Sequence, residues 1–252
     1  MTAPIARARA LSSLVAVALT AACTHYYEIP IETPIRPRLD VSAFQRVLVA
    51  GFISGGLDDV DGNLETTRLQ RSQLRSKSDL RVIDADTLPL MEVMASTRAK
   101  TGTADPLPPI KEEKDLEPYQ PLFVNVAYWK QIGEEYQQPL IVTGTVLFTS
   151  QERSSSILRP TEVRDEFGRR QTSTQRVYVE TKAFILRPKF IFIDGRTGVV
   201  IYNRTFKEEN QSGVNQQTPP LSSYFDLMDR LIPTFLSTLS SQKVKGTRFL
   251  LQ

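Results

Sequence analysis

The sequence predicts an α/β fold, a single mixed-sheet α/β sandwich domain with a long β-hairpin and a C-terminal packing helix. Three observations point there. Strand, helix and strand patterns follow one another between residues 46 and 84. Tight-turn glycines at 194–198 separate two apolar runs, and the chain after residue 222 carries one apolar helical face.

Arg46-Val-Leu-Val-Ala-Gly-Phe52 is a short apolar run suited to a buried strand. Gly55-Gly-Leu-Asp-Asp-Val-Asp-Gly62 then turns the chain, and Asn63 is placed to cap a helix over 64–77. That helix is weakly amphipathic, because Leu69 and Leu74 fall on different faces. Leu80-Arg-Val-Ile-Asp84 is a second strand and 88–95 a short helix. Residues 98–121 mix proline with charge and read as a surface insertion. A helix over 124–137 carries Trp129, and Leu140-Ile-Val-Thr-Gly-Thr-Val-Leu-Phe148 is a third strand, expected to be central.

A long strand from Arg176 reaches Ile193. Asp194-Gly-Arg-Thr-Gly198 supplies the positive-φ positions of a tight turn, and Val199 to Phe206 returns. Pro188 lacks a ladder donor, which places it at an edge or a bulge. Tyr224, Leu227, Met228, Leu231, Phe235 and Leu239 then recur at helical spacing, with Pro233 among them. The domain organisation read from this is a leader over 1–22, an extended tether over 23–43 and one α/β domain over 44–252. That domain includes the insertion 98–121 and a charged hairpin 151–176.

Composition removes much chemistry. The chain has one cysteine, Cys23, and one histidine, His25. From residue 26 onward no Ser-His-Asp triad, Cys-His pair or histidine-ligated zinc can be built. Asp58, Asp59 and Asp61 fail the calcium-loop spacing, since the sixth and twelfth positions counted from Asp59 are Leu64 and Gln70. Gly51-Phe-Ile-Ser-Gly-Gly56 lacks the Lys-Ser/Thr of a phosphate loop. Glu134 and Glu135 are adjacent on a helix, so their carboxylates point about 100° apart and do not face one another. The expectation is a protein without catalytic residues, metal or cofactor.

The first 22 residues have a basic start at Arg7 and Arg9 and then an apolar run over 10–22, shorter than the roughly 18 residues a spanning helix needs. Leu19-Thr-Ala-Ala-Cys23 resembles the lipobox of bacterial lipoproteins, with Leu19 one place early. The resemblance implies a diacylglycerol on the Cys23 thiol. Residue 24 is Thr and not Asp, which by the same resemblance favours a periplasm-facing anchor in the outer membrane. Removing the leader leaves 29 basic against 28 acidic residues, a net charge of +1 that gives nucleic-acid binding no support. Prolines at 30, 34 and 37 keep the tether extended. It either reaches roughly 60 Å undocked or packs through Tyr27, Ile29, Ile31 and Ile35, which an extended chain puts on one side.

Four pieces, in order behind that lipobox, resemble the curli-secretion (CsgG-like) lipoprotein family, whose fold is shared with the amino-terminal domain of TolB. They are the strand 46–52, the helix-to-strand run Asn63 to Asp84, the strand Leu140-Ile-Val-Thr-Gly-Thr-Val and the hairpin 190–202. The resemblance implies a non-catalytic binding or assembly component of a cell-envelope complex, with envelope proteins or copies of itself as partners. An activator docking on a cell-wall synthase is the alternative in the same class, and a carboxylate-based hydrolase of envelope polysaccharide the alternative in another. The family's curli member sends hairpins through the membrane. Here residues 151–176 hold ten charged residues of 26, and an arginine at mid-bilayer costs roughly 2–4 kcal/mol, so a membrane hairpin is not expected in this segment. Two readings of it stay open, a solvated loop and a partner-binding arm. In the second, Asp165-Glu-Phe-Gly168 is the tip and Arg159, Arg164, Asp165, Phe167, Arg169 and Arg170 make the contact.

Overall fold

Val47, Leu48, Val49 and Ala50 are all fully buried, because β2 (Arg46–Gly56) is covered on both faces. The computed structural model describes residues 26–100, 107–164, 167–211, 218–240 and 242–251. The chain divides into two units. The larger, Pro37–Ser240, is a mixed sheet in the order β3-β2-β4-β5-β6. Its other strands are β3 (Arg81–Val82), β4 (Leu140–Arg164), β5 (Arg170–Asp194) and β6 (Val199–Thr205). β2 runs parallel to β3 and β4, whereas β4, β5 and β6 are antiparallel neighbours, so the third strand is central as expected. A short β7 (Glu208–Gln211) pairs with β5 farther along.

One face of the sheet holds Val142, Phe148, Leu186, Phe190 and Phe192 against α1 (Gly62–Lys77) and α5 (Pro220–Leu239). The opposite face holds Ile141, Leu147, Ile191 and Ile193. It is covered by α2 (Leu90–Lys100), a 3-10 helix Glu113–Tyr119, α3 (Gln120–Phe123) and α4 (Val126–Glu135). Strand periodicity alone would send Val47, Val49 and residue 51 to one face. A register shift between Val49 and Gly51 adds a residue and moves Phe52 to the face of Val47 and Val49 instead.

The α1 helix starts at Asp61 and not at Asn63. The Asp61 carboxylate accepts the Leu64 N–H at 3.0 Å, while the Asn63 side-chain oxygen accepts Phe52 N–H at 2.8 Å, just past the bulge. Leu74 is the one large apolar residue on its buried face, the others being Gly62, Thr66, Thr67 and Gln70, which is why the sequence shows little amphipathicity there. Thr66 and Tyr224 of α5 hydrogen-bond by their hydroxyls, and Tyr224 Oη donates to the Gly62 carbonyl at 3.2 Å.

The stretch read as a surface insertion, 98–121, contributes to the core. Residues 101–106 lie outside the described residues, but Ile110, Leu116 and Tyr119 are buried, followed by Leu122 and Phe123. The charged residues among them occupy the outer side of the 3-10 helix and mask that spacing. Trp129 Nε1 donates to the Leu122 carbonyl at 2.8 Å and locks α4 onto this layer.

Pro188 sits inside an uninterrupted β4–β5 register. Its carbonyl accepts Phe206 N–H at 2.8 Å on the outer side of β5, so the absent N–H faces the seam between β6 and β7 and breaks no β4–β5 bond. Gly144 has φ +145°, and a Cβ there would lie 1.8 Å from the Lys189 carbonyl oxygen, so only glycine fits this close approach of β4 to β5. The turn after β5 is held by Asp194, whose carboxylate takes both Nε (3.0 Å) and a terminal nitrogen (2.9 Å) of Arg196.

After α5 the chain adds one more strand, β8 (Gln242–Leu251). It pairs antiparallel with β1 (Tyr26–Ile35), and the two form the second unit. The tether is therefore strand from Tyr26 to Ile35 and irregular from 36 to 43, with Ile29 and Ile35 exposed and Ile31 half-buried.

Candidate functional site: the β4–β5 arm

β4 and β5 are each 25 residues long and pair without a register shift from Leu140 opposite Asp194 to Arg164 opposite Arg170. The sheet supports only part of this length. β2 accompanies β4 as far as Phe148, and β7 accompanies β5 from Leu186 to Ala183. Residues 151–164 and 170–182 continue as a two-stranded ribbon roughly 45 Å long. Among the described residues no further strand pairs with it. Its two outer edges therefore present backbone N–H and C=O groups that an added strand can use.

The arm's sequence follows from that position. Thr172 and Thr174 favour extended backbone without needing an apolar core, and Ser154-Ser-Ser156 on the neighbouring strand keeps the ribbon polar. On one face lie Ile157, Val177 and Val179, of which Val179 is buried. On the other face Leu158 and Tyr178 are 66% and 76% exposed. The base is pinned by the Arg153–Glu209 ion pair at 2.6 Å, which ties β4 to β7.

Of the residues read as a contact surface, Arg159 is exposed on β4, and Phe167 is 81% exposed beyond the strand ends. The Arg169 guanidinium lies over the Phe167 ring at 5.4 Å. Arg170 faces Glu162 at 3.7 Å, and both side chains are about 70% exposed, so this pair is worth at most about 1 kcal/mol. Arg164 ends β4, and Asp165, like the lipid-attachment residue Cys23, lies outside the described residues. The sequence boundary at Arg176 left out Tyr178. It falls in the strand read from Arg176 to Ile193, and only the end of β7 at Gln211 shows that β5 has, among the described residues, no neighbour but β4 there.

Clefts lie elsewhere on the domain, among the described residues, and two are larger than about 300 Å³. One of about 370 Å³ is lined by Glu113, Gln120, Thr145, Arg187 and Lys189. Two of its cations are engaged within it, Arg187 with Glu113 at 3.0 Å and Lys189 with the Gln120 side-chain oxygen at 2.9 Å, while Lys114 pairs with Glu112. The other, about 470 Å³ and mostly apolar, lies between Met94, Arg98, Pro118, Pro121, Leu122 and Asn125. Among the described residues no three Asp, Glu, His or Cys side chains gather as a metal site would require, and no helix is long and apolar enough to cross a membrane. Burial pushes the Tyr128 phenol up, with Glu135 adding to the shift, so that hydroxyl stays protonated at neutral pH.

No family model matches the sequence, and no curated protein matches it. Among solved structures the chain is similar to lipoprotein GNA1162 from Neisseria meningitidis, at 11% identity over 75% of this chain and 96% of that one, with a TM-score of 0.32. It is also similar to a PDZ domain protein from Parabacteroides distasonis, at 10% identity over 92% of this chain and 41% of that one, with a TM-score of 0.17. Superpositions this loose carry no argument about activity, and they do not confirm the resemblance to the curli-secretion family.

Proposed function

We propose that this protein is a non-catalytic, lipid-anchored component of a cell-envelope assembly that holds its partner through the β4–β5 arm. The observation that carries the reading is the arm itself. A ribbon that leaves the sheet with two open edges, buries almost nothing and ends in exposed Phe167 and arginines contributes little to its own domain, so its cost in order is understandable as a contact element. The lipobox resemblance around Cys23 supports attachment to the periplasmic side of the outer membrane. The charges of the arm, of both signs with cations in excess (Arg159, Glu162, Arg169, Arg170), suit a polar protein surface.

The test is the native mass of the full chain extracted from membranes in detergent, beside a chain lacking residues 154–180. The reading predicts a particle heavier than one chain for the first and a single chain for the second. Single chains in both would contradict it. A one-to-one complex with a cell-wall synthase would point to the activator role, and a closed set of copies to an assembly ring.

A further inference from the structure

The cleft between the 3-10 helix and the sheet has a floor laid out by strand register. Thr145 of β4 stands opposite Lys189 of β5, and Lys189 stands opposite Thr205 of β6, so one row across three strands reads hydroxyl, ammonium, hydroxyl. Arg187 follows two residues along β5 on the same side, with Leu147 opposite it. The facing wall is the 3-10 helix and the start of α3. Gln120 N–H donates to the Glu117 carbonyl, the three-residue spacing that stacks two side chains on one side, and both residues line the cleft.

The polar groups of this cleft differ in what answers them. Arg187 is neutralised by Glu113, and Lys114 by Glu112. Lys189 is half-buried, and among the described residues its one partner is the neutral Gln120 side-chain oxygen, which leaves its charge and two of its three N–H donors unmet. Thr145 is 2% exposed, and no hydrogen bond among the described residues engages its hydroxyl. A half-buried cation beside a buried, unanswered hydroxyl favours an anion between them. Glu117 is exposed on the wall and has no ion pair among the described residues. The unmatched charges are thus one of each sign, the cation on the floor and the acid on the wall. We propose that the cleft binds a small zwitterion of amino-acid or dipeptide size. Its carboxylate sits on Lys189 and the Thr145 hydroxyl, its amine faces Glu117, and its apolar part lies against Leu116 and Leu147. The volume of about 370 Å³ is at the small end of ligand sites. One unmatched ammonium suits a carboxylate of single charge, and Glu117 in the same cleft repels a phosphate dianion. No residue of this site belongs to the arm, so the two readings stand or fall separately.

The mature chain carrying Cys23→Ser, which has no thiol to acylate, is titrated with alanyl-alanine while its backbone amides are followed by NMR. The expected result is a saturable shift at the amides of Thr145, Arg187, Lys189 and Thr205. Alanyl-alanine amide, which lacks the carboxylate, should bind at least about tenfold more weakly, as should alanyl-alanine to the Lys189→Gln chain. N-acetyl-alanyl-alanine, which lacks the charged amine, should bind severalfold more weakly than the free dipeptide, and Glu117→Gln should remove that difference. Alanine carries the same two charges, and the tighter of alanine and alanyl-alanine tells a free amino acid from a peptide. The amidated and acetylated ligands make the comparison on the unaltered site if the Lys189→Gln chain fails to fold. No saturable shift with either zwitterion overturns the proposal, and so does equal binding of the amidated and free dipeptides. Inorganic phosphate binding more tightly than both zwitterions also overturns it, since the row on the floor is then a site for a simple anion.

Discussion

Joining Arg153 to Thr181 through an Asn-Gly turn removes residues 154–180 and keeps the register of the remaining hairpin, because Arg153 and Thr181 are opposite one another. The cost to the domain follows from what the deletion exposes. Of the described residues removed, only Val179 is buried, which sets the loss at about 1.5–3 kcal/mol. The ribbon's backbone hydrogen bonds stand in water and exchange for water bonds with little net change. For a domain of about 200 residues, each kcal/mol moves the melting temperature by about 2–4 °C, so the drop is at most about 12 °C and the transition stays cooperative. Thermal unfolding of the Cys23→Ser chain with and without residues 154–180, followed by circular dichroism, makes the comparison. A deleted chain that no longer unfolds in one cooperative step would show that the arm is part of the domain's core and refute the assignment of the arm to binding.

Other consequences are confined to the folded domain. Gly144→Ala puts a Cβ against the Lys189 carbonyl in a backbone conformation that suits glycine, so it should cost about 3 kcal/mol or more in urea unfolding. Phe235→Ala removes a ring 4.8 Å from that of Phe190 and 5.8 Å from that of Phe192, and about 3–5 kcal/mol is expected by the same measurement. Burial works against the Asp194 charge, but the Arg196 guanidinium and the nearby N–H groups hold its carboxyl below the usual carboxylate range. Its stabilisation is therefore complete above the ordinary pKa of about 3.9 and is lost as pH falls through the lower folded value. Asp194→Asn should lower stability at pH 7 by about 1.5–3 kcal/mol and flatten the loss seen below about pH 4. Tyr224→Phe, which removes a buried hydroxyl from Thr66 and the Gly62 carbonyl, should cost about 1 kcal/mol.

The strands and the last helix were legible because their burial is written in spacing: Leu140 to Phe148, the 194–198 turn and the Tyr224-to-Leu239 stripe each show the period of their element. The sheet's two-sided burial was harder to see, since a run such as Val47 to Ala50 is apolar at every position and does not reveal the bulge that reassigns Phe52. Residues 98–121 misled because charge and proline surround the few apolar residues that reach the core. The β1–β8 pairing joins segments about 200 residues apart, and no local signal can report a partner at that separation. For the arm, a hairpin within 151–176 and its charges were readable, but its length depends on where β2 and β7 stop.

Photo-crosslinking in intact cells tests the central claim most directly, with a crosslinkable residue placed at Arg159 or Phe167 on the arm and, for comparison, at the exposed Leu64 or Met91 of the domain. The account predicts one discrete crosslinked product from each arm position and none from the domain positions. Crosslinks from Leu64 or Met91, with none from the arm, would contradict it.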